Sequence, residues 1–357
     1  MVIHDCIHTT KMSTSVNSCN KEVVGVPKSS ECEVNDMLQN LSTANDVLVC
    51  SNCGKEGSNN DMNTCNKCKM VKYCNAVCKK VHKKKHKKDC EEYIRLATEK
   101  RNKQLRIAAE LHDKELFKQP PPAEDCQICF IRIPSLDTTG RRYMTCCGKV
   151  ICSGCYYAPV YDHQGNEVAD EKCAFCRTPN HETDEEYVKR IMKRMEVNDA
   201  IAIHNVGCYY QDGTRGFPQN YTKALELLHR AAELGFTGAY TNIGIAYLHG
   251  SGVEVDMKKA NHYWELAAIG GDASARANLG QIEKNAGNMD RALKHYMIAV
   301  RDGFARSLNK IKELYSKGNA TKDDYTTALR LYQEYLKEIK SDQRDEAAAA
   351  DDEYRYY

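Results

Sequence analysis

Several features that assign a class of function at once are missing from this sequence. Its 357 residues contain no apolar run that approaches the roughly 18 residues of a membrane span. The first residues, Met1 to Cys6, lack the basic and then apolar order of a secretory signal peptide. The formal charge is only +2, which gives no general argument for a nucleic-acid or membrane partner. We therefore expect an intracellular protein, cytoplasmic or nuclear, without a membrane partner and with nucleic acid as a minor alternative.

Recognisable catalytic motifs are missing as well. No nucleophile, glycine-rich phosphate loop or carboxylate pair stands at a spacing that marks hydrolytic or transfer chemistry. We therefore assign no catalytic residue and expect no organic cofactor. The length allows two or three domains.

Cysteine, in contrast, is abundant, with 19 residues in the chain. A chain without a secretory signal keeps its thiols reduced, and paired Cys-x2-Cys spacing then favours metal ligands. A disulfide framework is the less favoured alternative. Cys6, Cys19 and Cys32 stand singly in the Ser/Thr/Asn-rich residues 1–45, which we expect to be a disordered tail.

Eight of the cysteines lie between residues 126 and 176 as four close pairs. They are Cys126, Cys129, Cys146, Cys147, Cys152, Cys155, Cys173 and Cys176. A Cys-x2-Cys turn directs both sulfurs at one ion, so four pairs can fill two tetrahedral zinc sites. The separations favour an interleaved arrangement. One zinc ion is then held by the pairs that begin at Cys126 and Cys152, and the other by the pairs that begin at Cys146 and Cys173.

This pattern resembles a RING finger, the cross-braced module that recruits a ubiquitin-conjugating enzyme. Three further residues match the family: Ile128 within the first Cys-x2-Cys turn, Arg177 after the last cysteine, and Pro179 two residues later. The resemblance implies that Ile128 and Pro179 contact the conjugating enzyme. It also implies that Arg177 holds the ubiquitin that this enzyme carries.

Two positions depart from the RING pattern. Lys149 stands where the family usually has a histidine ligand, and a protonated lysine is a poor zinc ligand. The sequence therefore predicts an all-cysteine variant that uses both Cys146 and Cys147. Ala174 replaces the proline that is usual in the last Cys-x2-Cys turn.

A second metal-binding pattern precedes the first along the chain. Its members are Cys50, Cys53, Cys65, Cys68, Cys74, Cys78, His86 and Cys90. The Tyr73-Cys74 pair and the His-x3-Cys ending resemble a MYND finger. The resemblance implies one zinc ion on Cys50, Cys53, Cys74 and Cys78, and another on Cys65, Cys68, His86 and Cys90. His82 is an alternative ligand, but the spacing to Cys90 favours His86. Four zinc ions are therefore expected in total.

MYND fingers are peptide-docking modules, often for proline-containing motifs. Lys79 and Lys83 stand where the family often has Gln and Trp, so the peptide specificity does not carry over. The run from Lys79 to Lys88 contains seven lysines. We interpret it as a solvated helical face, with a nuclear import signal or a phosphate-contacting patch as alternatives.

Residues 93–122 are predicted to form a helical spacer between the two fingers. Apolar residues recur there at mixed three- and four-residue steps, which indicates a helix with one modest apolar stripe. Pro120, Pro121 and Pro122 end it. The stripe is not a strict heptad, so a semi-rigid spacer is favoured over self-association.

Residues 181–340 contain a repeat of 36 to 37 residues. Gly207, Gly244 and Gly280 occupy equivalent places, and a second predicted helix follows each of them. This period predicts stacked helical hairpins, with the glycine allowing close approach of the partner helix. The pattern resembles Sel-one-like repeats, relatives of the tetratricopeptide repeat, which implies a surface for partner proteins. Residues 341–357 read as an acidic tail.

The predicted fold is therefore multidomain. Two small cross-braced zinc-finger modules, MYND-type at 46–92 and RING-type at 123–180, are joined by a helix. An all-α helical-repeat solenoid follows them.

This order of parts favours a RING-type ubiquitin-protein ligase whose MYND finger and repeats select substrates. Such a ligase forms no covalent intermediate of its own and accelerates transfer by orientation. The alternative is a non-enzymatic adaptor whose zinc fingers only build binding surfaces. A third hypothesis is nucleic-acid binding through the run from Lys79 to Lys88. A methyltransferase with a MYND insertion does not fit, because such an enzyme needs a catalytic domain on both sides of the finger.

Overall fold

The computed structural model describes residues 48–58, 62–135, 140–158, 172–179 and 183–357. The segment expected to be a disordered tail, residues 1–45, lies outside the described residues. The chain divides into two units, Met1–Asn102 and Lys103–Tyr357, and each is described by itself.

The first unit contains two very short hairpins followed by a helix. Its elements are β1 (Leu48–Val49), β2 (Glu56–Gly57), β3 (Asn63–Thr64), β4 (Lys72–Tyr73) and the start of α1 (Ala76–Leu116). Strand β1 pairs antiparallel with β2, and β3 pairs antiparallel with β4. The buried apolar cluster consists of Cys50, Met62 and Tyr73 alone among the described residues of this unit. A core of this size does not stabilise two-residue strands, so other bonds must hold the unit together.

After the end of α1, the second unit contains another finger. Strand β5 (Arg141–Met144) pairs antiparallel with β6 (Lys149–Cys152), and the short helix α2 (Ser153–Tyr157) follows. Gly148 closes the turn between the strands with φ +74, and its N–H donates to the Met144 carbonyl at 2.7 Å.

The remainder of the second unit is helical. Its helices are α3 (Asp184–Glu196), α4 (Ala200–Asp212), α5 (Tyr221–Glu233), α6 (Thr237–His249), α7 (Met257–Ile269), α8 (Ala273–Asn285), α9 (Met289–Arg301), α10 (Ala305–Ser316), α11 (Lys322–Ile339) and α12 (Asp342–Ala350). Helices α4 to α9 pack as successive antiparallel pairs, and each pair also contacts the next. Short polar residues begin several of the helices: the side chains of Asn220 and Asp256 accept hydrogen bonds from the first turns of α5 and α7. The predicted multidomain fold with a helical-repeat solenoid is confirmed.

The recurring glycines do mark close contacts between paired helices. In each pair, a Cβ atom on the glycine would collide with, or press on, a large side chain of the partner helix. The pairs are Gly207 with Leu228, Gly244 with Trp264, and Gly280 with Tyr296. The close approach predicted at the glycines is therefore confirmed, and the groups that require the glycines are these large side chains. Trp264 is 2% exposed and also donates to the Thr241 carbonyl at 3.1 Å, so it has no room to move.

The C-terminal end of α1 is anchored on the repeats. Leu116 is 1% exposed and packs in one apolar cluster with Trp264. Arg276 donates to the Leu116 carbonyl, and Arg291 forms an ion pair of 2.6 Å with Asp113. The predicted spacer helix therefore ends inside the repeat unit, four residues before Pro120.

The segment 341–357 is ordered, where the sequence analysis expects an acidic tail. Helix α12 is followed by a 3-10 turn, Asp352–Tyr354, and both Arg344 and Tyr356 are buried. Composition is misleading here because the acidic side chains face solvent while Arg344 and Ala347 occupy the inner face. Helix α12 packs against α2 of the second finger.

We predict that Gly244→Ala destabilises the repeats more than Gly207→Ala. A Cβ atom at residue 244 would lie 2.5 Å from Trp264 Nε1, whereas one at residue 207 would lie 3.3 Å from the flexible Leu228 side chain. Overpacking of this kind costs about 1–3 kcal/mol, against a gain of about 1 kcal/mol in helix propensity. Denaturant unfolding of both variants measures the difference. Equal free energies of unfolding would contradict the proposed role of the Gly244–Trp264 contact.

Candidate metal centres

The structure brings sixteen cysteine and histidine side chains together in four sets of four. The sets are Cys50, Cys53, Cys74 and Cys78; Cys65, Cys68, His86 and Cys90; Cys126, Cys129, Cys152 and Cys155; and Cys146, Cys147, Cys173 and Cys176. Within each set the sulfur and nitrogen atoms lie within 4.8 Å of one another. These are the same four sets that the sequence analysis named, and each could bind one metal ion.

The distances between sulfurs fit a metal tetrahedron and exclude disulfides. With Zn–S bonds of about 2.3 Å, tetrahedral geometry places sulfurs about 3.8 Å apart, whereas a disulfide is about 2.0 Å long. The separations are 3.6 Å for Cys53 and Cys74, 3.7 Å for Cys65 and Cys90, 3.8 Å for Cys129 and Cys152, and 3.7 Å for Cys147 and Cys173. Thiolate and imidazole donors in fours are the ligand set of structural zinc, so the sites are consistent with zinc.

Four of the five Cys-x2-Cys segments are closed by the same backbone geometry, whereas the fifth, Cys152 to Cys155, enters helix α2. The N–H of the residue after the second cysteine donates to the carbonyl of the first, at 2.8 to 3.1 Å. That following residue has a positive φ in all four turns: Gly54, Lys69, Phe130 and Arg177. Only the first of these is a glycine, and a side chain in this conformation is strained unless its surroundings enforce it. Shared ligation of one ion by the two cysteines of each turn supplies such a constraint.

Helix α1 carries three of the ligands of the first finger. Cys78, His86 and Cys90 are spaced by eight and four residues and so lie on one helical face. His86 is 5% exposed, and its Nε2 lies 3.3 Å from Cys68 Sγ. The alternative ligand, His82, lies outside both sets, and its Nδ1 is 3.2 Å from the Tyr73 hydroxyl.

Within a set, the thiols compete for ionisation. The backbone N–H of Cys74 lowers the pKa of the Cys50 thiol to about 6, whereas the hydrogen bond that the Cys74 thiol makes to Cys53 raises the pKa of Cys74 to about 12. One sulfur therefore ionises at the expense of its neighbour. A divalent cation resolves this conflict, because a coordinating thiol is deprotonated outright.

The second finger buries its first set deeply. Cys126, Cys152 and Cys155 are at most 4% exposed. Backbone N–H groups donate to two of these sulfurs: that of Cys152 to Cys126 Sγ at 3.5 Å, and that of Cys155 to Cys152 Sγ at 3.4 Å. Such donors stabilise thiolates, the form that binds zinc.

The second set of this finger contains both Cys146 and Cys147 and leaves Lys149 out. Both cysteines lie in the turn between β5 and β6, whereas Lys149 begins β6 with an exposed side chain. Burial raises the pKa of the Cys146 thiol. The geometry thus groups four sulfurs without the histidine that the RING pattern usually has.

The residues expected to contact a conjugating enzyme remain at the surface. Ile128 is 38% exposed within the first Cys-x2-Cys turn of the second finger, and Arg177 and Pro179 are exposed after the last one. Pro179 forms an antiparallel bridge with Lys172, which fixes the chain beyond Arg177.

Two residues at this finger were not foreseen. Arg344 Nη2 lies 3.9 Å from Cys129 Sγ, and Gln343 Oε1 lies 3.8 Å from Cys155 Sγ. They approach from α12, about two hundred residues further along the chain. No motif or spacing in the sequence connects them to the finger.

We predict that Cys146→Ser lowers the zinc content by one ion per chain, while Lys149→Ala leaves it unchanged. The serine hydroxyl replaces a thiolate ligand, whereas Lys149 stands outside the set of four sulfurs. Native mass spectrometry of the two purified variants counts the bound ions. Loss of zinc from Lys149→Ala, or its retention by Cys146→Ser, would contradict this ligand set.

Two curated plant proteins are similar to parts of this chain. The "ERAD-associated E3 ubiquitin-protein ligase component HRD3B" of Arabidopsis thaliana is 29% identical over 138 residues, which cover 38% of this chain and 21% of that protein. The "E3 ubiquitin-protein ligase DA2" of the same plant is 35% identical over 66 residues, 18% of this chain and 14% of that protein. The chain thus matches about a fifth or less of the length of these relatives.

Two solved structures have similarity to this chain. A Sel1 repeat protein from Oxalobacter formigenes is 30% identical, with a TM-score of 0.40 over 46% of this chain and 68% of that one. A protective antigen of uropathogenic Escherichia coli with an SLR fold is 21% identical, with a TM-score of 0.36 over 56% of this chain and 44% of that one.

No helix in the described part of the chain is both long and apolar enough to cross a bilayer. The family model for the MYND finger matches residues 50–90, and the model for the Sel1 repeat matches residues 200–236 and 237–272. The MYND match begins and ends on the outermost ligands of the first two sets. This chain therefore carries a MYND finger at residues 50–90 and two Sel1 repeats at residues 200–272, which makes it a modular protein with protein-interaction domains.

Proposed function

We propose that this protein is a RING-type ubiquitin-protein ligase. Residues 126–179 recruit a ubiquitin-conjugating enzyme, and the MYND finger and the Sel1 repeats bind substrates. The observation that carries the proposal is the placement of Ile128, Arg177 and Pro179. All three remain exposed on a finger whose eight cysteines form two tetrahedral sets.

The sixteen grouped side chains hold four zinc ions in this proposal. The ions have a structural role, because four protein ligands leave no open coordination position for chemistry. Each site can supply on the order of 10 kcal/mol to folding, which the small apolar cores of the fingers require. The metal thereby fixes the turns that present Ile128 and Arg177.

Transfer of ubiquitin is accelerated by orientation. Ile128 and Pro179 offer apolar contacts for the conjugating enzyme, which carries ubiquitin as a thioester. The guanidinium of Arg177 donates hydrogen bonds in a fixed plane and so restricts the ubiquitin tail to reactive conformations. Holding reactants in attack geometry removes entropy from the activation barrier without acid–base chemistry from this chain.

The names of the two plant relatives support the ligase proposal in a limited way. One is named a component of a ubiquitin ligase and the other a ubiquitin ligase.

A second candidate function is a non-enzymatic adaptor. It is favoured by Lys149 and Ala174, which depart from the RING pattern at the usual histidine and proline positions. In this case the exposed residues of the finger bind a partner without activating a thioester.

A reconstituted ubiquitination assay distinguishes the two functions. Purified protein is mixed with activating enzyme, a panel of conjugating enzymes, ubiquitin and ATP. We expect chains with the wild type and a loss of about five- to thirtyfold in rate with Ile128→Ala, because an apolar contact of about one to two kcal/mol is removed. Arg177→Ala should lower the rate at saturating conjugating enzyme, since orientation is lost after binding.

Val255→Ala is the matched control, because Val255 is a 64% exposed apolar residue on the repeats. It should retain the wild-type rate. Absence of chains across a broad panel, with all four zinc ions bound, would overturn the ligase proposal and favour the adaptor.

A further inference from the structure

The C-terminal segment of the chain forms one wall of the second finger. Gly154 of α2 lies so close to α12 that a Cβ atom there would be 2.7 Å from the Arg344 backbone nitrogen. A Cβ atom on Gly140 would be 2.4 Å from Tyr356 Cβ. Glu353 forms an ion pair of 3.0 Å with Arg142 of β5. The segment therefore contacts the finger at three separate points.

Arg344 reaches from this segment to the first Cys-x2-Cys turn. Its Nη1 donates to the Arg132 carbonyl at 2.9 Å, and its Nη2 donates to the Ile131 carbonyl at 3.2 Å and lies 3.9 Å from Cys129 Sγ. Nη1 also donates to the Ile339 carbonyl at 2.6 Å, which ties the finger to the end of α11. The planar guanidinium thus joins three backbone carbonyls and one ligand sulfur.

The charge of Arg344 needs compensation, because the residue is 0% exposed. A buried guanidinium is costly unless a negative group lies nearby. Among the residues that the structure describes, no carboxylate contacts Arg344; its partners are carbonyls and the sulfur of Cys129. Cys129 belongs to the set Cys126, Cys129, Cys152 and Cys155, which carries negative charge when its thiols are ionised. Four thiolates around one divalent ion carry a net charge of about −2.

We propose that Arg344 is the counter-charge of this zinc site and a positioning residue of the second finger. It holds the first Cys-x2-Cys turn in place through the carbonyls of residues 131 and 132, and with it Ile128 at the surface. The C-terminal segment is therefore part of the finger, and loss of that segment opens the site. The role of Arg344 in placing Ile128 rests on the proposed ligase function, whereas its role at the zinc site does not.

The test measures zinc release from the full-length, zinc-loaded protein to a chromogenic chelator. Wild type, Arg344→Met and Arg344→Lys are compared with the control Arg355→Met, which removes an exposed arginine from the same segment. We expect one of four ions to leave about ten- to one-hundred-fold faster in Arg344→Met, since groups that support ligands contribute by this factor. Arg355→Met should match the wild type.

Arg344→Lys keeps the charge but has no planar guanidinium to join several acceptors. Zinc release from this variant should therefore be faster than from the wild type and slower than from Arg344→Met. It carries the test if Arg344→Met does not fold. Substitution of cobalt for zinc adds a spectroscopic readout, because the sulfur-to-cobalt absorption of the site should shift when the neighbouring charge is removed. Wild-type release and an unchanged cobalt spectrum in both Arg344 variants would overturn the proposal.

The ligase assay tests the role of Arg344 in placing Ile128. Arg344→Lys should raise the concentration of conjugating enzyme needed for half-maximal rate while leaving the maximal rate nearly unchanged. If the variant changes the rate of zinc release without altering this concentration, Arg344 does not place Ile128. If the wild type makes no chains at all, the ligase function fails, and zinc release still decides the role of Arg344.

Discussion

The grouping of thiolates around a common centre is the interaction on which both fingers depend. Four of the five Cys-x2-Cys segments close with one backbone hydrogen bond and one residue of positive φ. Lys69, Phe130 and Arg177 adopt that conformation although they are not glycines. Strands of two to four residues and small apolar clusters do not hold a residue in a strained conformation, whereas two sulfurs bound to one ion do. Ligation thus sets the backbone, and the backbone sets which side chains reach the surface.

The Sel1 repeats are stabilised in a different way, by the packing of their helices. The second unit contains both these repeats and a finger built on ligand groups. Apolar side chains such as Trp264 fill the space opposite recurring glycines, and no ligand group is needed. The repeat unit also reaches the second finger through Arg344 and holds the end of the preceding helix through Leu116. A partner protein bound to these repeats would consequently lie on the same structural unit as the finger proposed to recruit the conjugating enzyme.

Much of this could be predicted from sequence, because ligand spacing and helical period are local signals. The four sets of ligands, the repeat with its glycines and the stop before Pro120 all follow from short patterns. The C-terminal segment could not be predicted, since Arg344 and Gln343 act on cysteines about two hundred residues away. Its acidic and alanine-rich composition suggests a tail, and only the packing of α12 against α2 reveals its inner face. Which side chain lies against each glycine could not be predicted either, because composition does not say which residue of a helix faces its partner.

The central claim is that sulfur tetrads around zinc build both fingers. X-ray absorption at the zinc edge, combined with elemental analysis of the intact reduced protein, tests it most directly. The account predicts four zinc ions per chain, with a coordination sphere dominated by sulfur at about 2.3 Å and one nitrogen among sixteen ligands. A protein without bound metal, a coordination sphere of oxygen atoms, or cysteines joined as disulfides would contradict it.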